Sequence, residues 1–171
     1  MQKDTVNLQA AAKLKEKVKK VDIAMLTTEE VDGHLRSRPM HTTQVDDNGV
    51  LWFFTSDESG KAYIIEKENC KVNLAYADPQ KDTYISISGT ADIVEDRAKM
   101  EALWNPAMKA WFAQGLDTPD IALVKVSAER AEYWDVTSNK MVQLFAMAKS
   151  AITGDSDAAR SVGNNEKMNI R

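Results

Sequence analysis

The feature that most constrains this fold is a series of short strand-like segments separated by turn sequences. Dense or alternating apolar runs of this length are typical of β-strands. The turns Asp32-Gly33 and Asp46-Asp47-Asn48-Gly49 are too short for a crossover, so the strands that they join must pair antiparallel. The predicted strands are Ile23–Thr28, His34–Val45, Val50–Thr55, Lys71–Ala77, Thr83–Glu95 and Ile121–Val136.

We expect the first three strands to form a meander, because sequential neighbours usually pair. Pro39 marks an edge, a bulge or a strand end, since proline cannot donate to a ladder. Six strands of uneven length favour a closed or nearly closed antiparallel barrel, because closure removes free edges. The predicted fold class is mainly β with flanking helices. The periodicity alone is equally compatible with an open six-stranded sheet.

Four other segments have helical periodicity. The first, from Leu8 to Val21, has one apolar face surrounded by lysines, which favours packing of that face over contact with a membrane surface. The others are a helix capped by Ser56 or Ser59 and ending near Asn69, the segment Arg97–Gly115 broken at Asn105-Pro106, and Asn139–Thr153.

Length and composition restrict the class of protein. The 171 residues suggest one domain over residues 1–154, and residues 155–171 have few large apolar side chains and are predicted to be a flexible tail. One cysteine and two histidines argue against a disulfide framework and a metal site. The net charge of −4 argues against nucleic-acid binding. Since no apolar run reaches the ~18 residues of a membrane helix, we expect a cytoplasmic protein without a membrane partner.

Arg36 and Arg38 lie two residues apart on a predicted strand and therefore point to the same side. Two like charges side by side are unfavourable unless an anion lies near them, and arginine is well suited to phosphate. The pair therefore indicates an anion site. An exposed polar face with both charges in water is the alternative.

A second phosphate signal follows the third predicted strand. Thr55 ends that strand and Ser59-Gly60-Lys61 opens a predicted helix, which would bring hydroxyls, backbone N–H groups and an ammonium close together. The alternative is a plain serine N-cap followed by a solvated lysine, and the first glycine of a P-loop is absent. Because the predicted meander places Arg36 beside this segment, the two signals together favour an anion site.

Six short motifs follow one another along the chain: Arg36-Ser-Arg-Pro-Met40, Trp52-Phe-Phe-Thr55, Ser59-Gly-Lys61, Val72-Asn-Leu-Ala-Tyr-Ala-Asp78, Tyr84-Ile-Ser-Ile-Ser-Gly89 and Tyr133-Trp-Asp135. In this order and spacing they resemble the pyridoxamine 5'-phosphate oxidase-like FMN-binding split barrels, and within them the bacterial general stress protein 26 type. The resemblance covers about residues 5 to 155.

This resemblance implies a six-stranded antiparallel split β-barrel and a homodimer with FMN at the subunit interface. It implies that Arg36 and Lys61 hold the FMN phosphate, and that the backbone from Arg38 to Met40 and at Phe54 lines the isoalloxazine ring. Trp134 would reach the flavin from the other subunit. The implied cofactor-binding residues are Arg36, Ser37, Arg38, Pro39, Met40, Phe54, Thr55, Ser59, Lys61 and Trp134.

Two departures from the oxidases concern activity. Lys140-Met141-Val142 stands where the oxidases carry an Arg-x-His pair for the substrate, and the oxidases' Tyr-x-x-x-Arg-x-x-x-Ser set has no clear match around Met100 to Met108. Tyr84 stands where they place a flavin-contacting glutamine. Because each charge-assisted hydrogen bond contributes ~1.5–3 kcal/mol, we expect weak or absent pyridoxamine 5'-phosphate oxidase activity.

The expected function is an FMN-binding, stress-related redox protein with an unknown small-molecule substrate and no assigned catalytic residue. A non-catalytic flavin-binding or sensor module, a true pyridoxamine 5'-phosphate oxidase, a deazaflavin protein and a cofactor-free dimeric barrel are alternatives. Haem is disfavoured because only His34 and His41 could be axial ligands. His41, Trp104, Trp111 and Phe112 could shape the flavin site or its mouth, with packing as the alternative for each.

Overall fold

The computed structural model describes residues 6–30, 32–56, 70–136 and 163–171. In these ranges the chain forms two α-helices and one antiparallel sheet of eight strands. The helices are α1 (Leu8–Val18) and α2 (Arg97–Leu103). The strands are β1 (Ile23–Glu29), β2 (Leu35–His41), β3 (Gln44–Val45), β4 (Val50–Ser56), β5 (Cys70–Asp78), β6 (Thr83–Val94), β7 (Ile121–Val136) and β8 (Gly163–Asn169).

The sheet curls into a split barrel. Its strand order is β2-β1-β5-β6-β7-β4-β3, with β8 also paired to β7. β2 and β3 are consecutive in the chain but stand at opposite ends of this order, so the two ends of the sheet must approach each other. The link between them is bonded on both sides: Thr42 N–H donates to Asp22 O and Thr43 N–H donates to Trp52 O, both at 2.8 Å. The predicted antiparallel split barrel is therefore confirmed.

The structure has two strands more than the six predicted. β3 is the last two residues of the segment predicted as one strand from His34 to Val45, which bends at Thr42 and Thr43. β8 lies in the segment predicted as a flexible tail, so that prediction is wrong for residues 163–171. Those residues are ordered because β4 covers β7 only as far as Ser127, and β8 pairs with the remaining edge from Arg130 to Val136.

The predicted meander is wrong in one pairing. β1 pairs with β2 along its whole length, as expected, but β4 pairs with β7 throughout and meets the second predicted strand only at β3. β2 therefore keeps one edge unpaired in the described sheet, and Pro39 lies on this edge strand. An edge is where a residue without an N–H donor is tolerated.

β4 is dense in apolar residues because both of its faces are buried. Leu51 and Phe53 point into the barrel and are fully buried, whereas Trp52 and Phe54 pack outside it against α2 and the turns that follow α2. After α2 the chain forms two 3₁₀ turns, Pro106–Ala110 and Gly115–Asp117, so the predicted break at Asn105-Pro106 is present. The other two predicted helices, near residues 59–69 and over 139–153, lie outside the described residues.

α1 packs its apolar stripe on the barrel, with Leu14 and Val18 buried. Its lysines are engaged: Lys13 bonds to Glu166 of β8 and Lys15 to Asp47, each at 2.6 Å. This supports packing over a membrane-binding role for the basic helix. None of the helices in the described ranges is long and apolar enough to span a bilayer.

Candidate functional site

A cavity of about 330 Å³ lies where β2 and β4 separate. β3, which follows Thr43, pairs with β4. β2, which precedes Thr43, pairs instead with β1, while β4 continues along β7. The cavity is lined by Ile23, Pro39, Met40, His41, Thr43, Phe54, Thr55, Ser56, Met108, Trp111 and Phe112. The split in the barrel therefore forms the candidate site, with a volume at the lower end of the ~300–1,000 Å³ of ligand pockets.

Aromatic rings form much of the cavity wall. The Phe54 ring stands edge-on to Trp104, with centroids 5.6 Å apart, and lies 6.1 Å from the Phe112 ring. At the other side the His41 and Trp111 rings lie 5.7 Å apart at 32°. Trp111 is 64% exposed, which places it at the solvent-facing border of the site. Such a wall is suited to a flat, largely apolar ligand, because aromatic rings stack favourably.

The polar groups of the wall are the hydroxyls of Thr43, Thr55 and Ser56 together with the His41 imidazole. Thr43 Oγ1 is buried without a hydrogen-bond partner among the described residues. Thr55 is 2% exposed, and its hydroxyl makes one long bond of 3.5 Å to the Ser56 carbonyl. A buried hydroxyl without a good partner is costly, so this wall is suited to a ligand that carries hydrogen-bonding groups.

A tyrosine holds the bend next to the cavity. The Tyr76 hydroxyl lies 2.8 Å from Thr42 Oγ1, and Thr42 directly precedes Thr43 of the wall. Burial raises the pKa of Tyr76 well above its ordinary value, so this hydroxyl stays protonated and neutral. The bond fixes the position from which β2 and β4 diverge.

A charged cluster lies on β1 and β2, beyond the cavity. Glu30 Oε1 is 3.0 Å from Arg38 Nη2 and 3.4 Å from Arg36 Nη1, and Arg38 Nη1 also donates to Thr28 Oγ1 at 2.9 Å. Arg36 and Arg38 share the alternating face of β2 with Met40, which lines the cavity. At ~3.3 Å per residue, Arg36 lies about 13 Å along the strand from Met40.

The structure brings four of the residues named from the motifs into one wall: Pro39, Met40, Phe54 and Thr55. Arg36, Ser37 and Arg38 precede this wall on β2, where Ser37 Oγ lies 2.8 Å from Thr27 Oγ1. Trp134 is 39% exposed and does not line the cavity of its own chain. Ser59 and Lys61 lie outside the described residues.

Sequence reasoning assigned no site role to three wall residues: Ile23, Thr43 and Met108. Each reaches the wall through the tertiary fold and belongs to no local motif. Trp111 and Phe112, for which packing was the alternative, line the cavity, whereas Trp104 packs behind Phe54. Among the described residues, no three His, Cys, Asp or Glu side chains gather as metal ligands would.

Comparisons with known proteins agree with this geometry. A family model described as "Pyridoxamine 5'-phosphate oxidase like" matches residues 9–158. Protein bli-3 of Neurospora crassa is 30% identical over 139 residues, which cover 76% of this chain and 66% of that protein. The match thus spans slightly less than two thirds of the length of this relative.

Two solved structures have folds similar to that of this chain. A protein of Jannaschia sp. CCS1, provisionally assigned as a general stress protein 26, has a TM-score of 0.72 at 22% identity, over 94% of this chain and 98% of that chain. The general stress FMN/FAD binding protein of Xanthomonas citri has a TM-score of 0.65 at 31% identity, over 77% of this chain and 92% of that chain. From its sequence match and its barrel, this chain belongs to the pyridoxamine 5'-phosphate oxidase-like family.

Proposed function

We propose that this chain binds FMN in the cavity between β2 and β4 and works as a stress-related redox protein without true pyridoxamine 5'-phosphate oxidase activity. The observation that carries the proposal is the cavity itself, whose aromatic walls and hydroxyls lie at the split of the barrel. The name of the Xanthomonas citri relative, an FMN/FAD binding protein, supports a flavin. The expected cytoplasmic location is part of this proposal.

The residues present fit a flavin. In this proposal the isoalloxazine ring packs on the wall formed by Pro39 and Phe54, and the Thr43 hydroxyl gains the partner that it lacks among the described residues. The phosphate lies toward Arg36, which shares the face of β2 on which Met40 lines the cavity. Ser59 and Lys61 follow Ser56 of the wall within five residues of sequence, which supports the roles implied for them.

FMN supplies, when bound, a ring that accepts and returns a pair of electrons. The contribution of the chain is to bind and orient that ring and to keep water from its buried face. The His41 imidazole on the cavity wall can donate or accept a hydrogen bond at the ring. No residue is assigned as catalytic, and the small-molecule substrate is not identified.

A homodimer is part of the proposal, because an apolar stripe crosses the outer face of the sheet. Ile23 pairs with His41 on one side, and Tyr84 pairs with Ala77 and Trp134 on the other. Ile23, Tyr84 and Trp134 are each between 39% and 46% exposed. The pairing of Ala24 with Tyr76 brings Ile23 beside Ala77, so the stripe runs without interruption from the cavity to Trp134.

A second copy of the chain would cover this stripe. In such a dimer the two-fold axis would lie between the outer sheet faces of the two protomers and run perpendicular to the stripe. The stripe of the partner would then run in the opposite direction, so the partner's Trp134 would lie over the cavity end of this protomer. About three strand spacings of ~4.8 Å separate Trp134 from Ile23 within one chain. This distance supports the proposal that Trp134 reaches the flavin of the partner rather than its own.

The test of FMN binding is a titration of the cofactor-free protein, followed by flavin fluorescence. We expect saturable binding of FMN, and we expect the double variant Arg36→Ala/Lys61→Ala to raise the Kd of FMN at least tenfold with unchanged far-UV circular dichroism. Since riboflavin lacks the phosphate, its Kd should be the same for both proteins. An unchanged Kd of FMN in the variant would show that the phosphate is held elsewhere.

The redox part of the proposal needs separate experiments. Reduced nicotinamide should bleach the bound flavin faster than free FMN, and equal rates would favour a flavin-binding module without turnover. The FMN-loaded protein should convert pyridoxamine 5'-phosphate weakly or not at all in air. Robust aerobic conversion of that substrate would instead identify the chain as a true oxidase.

A further inference from the structure

We propose that Glu30 determines which phosphates the flavin site accepts. Its carboxylate binds the Arg36 guanidinium, and a phosphate must replace this carboxylate as the partner of Arg36. This inference rests on the proposed function, since it names the residue that regulates the phosphate end of the FMN site. No sequence motif indicated Glu30. Its position follows from the contacts between β1 and β2.

The bond between Glu30 and Arg38 is the fixed half of this cluster. The Arg38 side chain is 8% exposed, and Arg38 donates to both Glu30 and Thr28 at 2.9–3.0 Å. Its Nε is buried and has no partner among the described residues. A buried guanidinium requires an opposite charge nearby, because burial of an unpaired charge is very unfavourable. Glu30 is therefore held in place by Arg38.

The contact between Glu30 and Arg36 is the exchangeable half. The Arg36 side chain is 61% exposed, and its Nη1 lies 3.4 Å from the same Oε1 atom that accepts from Arg38. A long contact of an exposed guanidinium contributes little free energy. Arg36 can therefore turn to an incoming anion, whereas Arg38 cannot do so without leaving its buried partners.

Glu30 also reduces the positive charge that an anion meets. Two guanidiniums and one carboxylate give the cluster a net charge of +1, where the arginines alone would give +2. A phosphate bound at Arg36 would lie near the Glu30 carboxylate, and like charges at this range repel. This repulsion weakens the binding of every phosphate, but FMN also gains the contacts of its ring in the cavity, which inorganic phosphate lacks. With Glu30 in place, FMN thus retains enough affinity to occupy the site, whereas smaller phosphates do not.

The test compares the Kd values of FMN and riboflavin for wild type and Glu30→Gln. The glutamine carbonyl still accepts a hydrogen bond from Arg38 while the negative charge is removed, and the Kd of riboflavin reports whether the cavity is preserved. We expect the Kd of FMN to fall about tenfold and the Kd of riboflavin to stay within twofold. Glu29→Gln is the matched control, because it removes the same charge from the neighbouring exposed position and should change neither Kd more than twofold.

A second measurement tests competition by inorganic phosphate in the same two proteins. At matched ionic strength, replacing chloride with inorganic phosphate should leave the Kd of FMN for the wild-type protein unchanged, whereas in Glu30→Gln phosphate should compete. Competition by inorganic phosphate in the wild type, or an equal or higher Kd of FMN in Glu30→Gln, would overturn the role of Glu30. Failure of the wild-type protein to bind FMN at all would instead overturn the proposed function.

Discussion

Replacement of Ile170 with alanine should destabilise the protein, although this residue lies in a segment whose composition predicts a flexible tail. Ile170 is fully buried. Its Cγ2 packs so closely on Gly49 that a Cβ added at position 49 would lie 2.9 Å from it. Its backbone bonds to Glu129 and Asn7, at 2.8 and 2.9 Å, would persist in the variant. The loss is therefore the side chain and the resulting cavity, about 3 kcal/mol by analogy with other buried Ile→Ala changes.

The assay is urea unfolding of the cofactor-free protein at one fixed protein concentration, since ligand or partner binding would shift the apparent stability. The midpoint should fall with an unchanged m-value, which marks a change in stability rather than in the area exposed. Asn169→Ala, at the adjacent exposed position at the end of β8, is the control and should stay within about 0.5 kcal/mol of wild type. A loss of only about 0.5 kcal/mol in Ile170→Ala would refute the packing of this C-terminal segment in the core.

Three further predictions concern the barrel and its partner. In Gly89→Ala the new Cβ would stand 2.1 Å from Ser127 O at the β6–β7 register shift, so unfolding experiments should show a loss of about 3 kcal/mol or more. The hydrogen bond from Lys13 lowers the pKa of Glu166, so this bond contributes stability that is present above pH 4.5 and is lost as the pH falls through the lowered pKa. Lys13→Gln should therefore make the unfolding midpoint depend less on pH in that range, and an unchanged pH dependence would contradict this. Trp134→Ala should raise both the dimer dissociation constant in sedimentation experiments and the Kd of FMN. If both constants stay unchanged, Trp134 does not lie in the interface.

The strands could be predicted from the sequence because their signals are local. Turn residues and alternation fix both the ends and the faces of a strand, and β7 over Ile121–Val136 has the bounds expected from them. The pairing of β4 could not be predicted in this way. This pairing depends on whether the edge of β2 or that of β7 lies beside β4 once the sheet has curled. No residue near β4 in the sequence indicates which edge that is.

The strand β8 shows the same limit more clearly. Only Val162, Met168 and Ile170 are large apolar residues in the last 17, so composition favours disorder. Two of them are buried in the structure, because residues 130–136 of β7 offer an edge that β4 does not cover. The order of the C-terminal segment is thus determined by residues more than 25 positions away in the chain.

Within the site, the motifs predicted the wall residues that are adjacent in sequence, such as Pro39 and Met40 on β2. They did not predict Thr43 or Met108, which reach the cavity through the bend after β2 and the 3₁₀ turn after α2. The arginine pair was expected to need a nearby anion. Glu30, directly after β1, supplies one, and only the pairing of β1 with β2 shows that this carboxylate is within reach.

The central claim is that FMN binds where β2 and β4 diverge. The most direct test is a crystal structure of the protein grown with FMN. The account predicts the isoalloxazine ring between Pro39 and Phe54, the phosphate at Arg36, and the partner's Trp134 over the ring. A flavin bound elsewhere on the barrel, or a cavity that stays without flavin in crystals grown at saturating FMN, would contradict it.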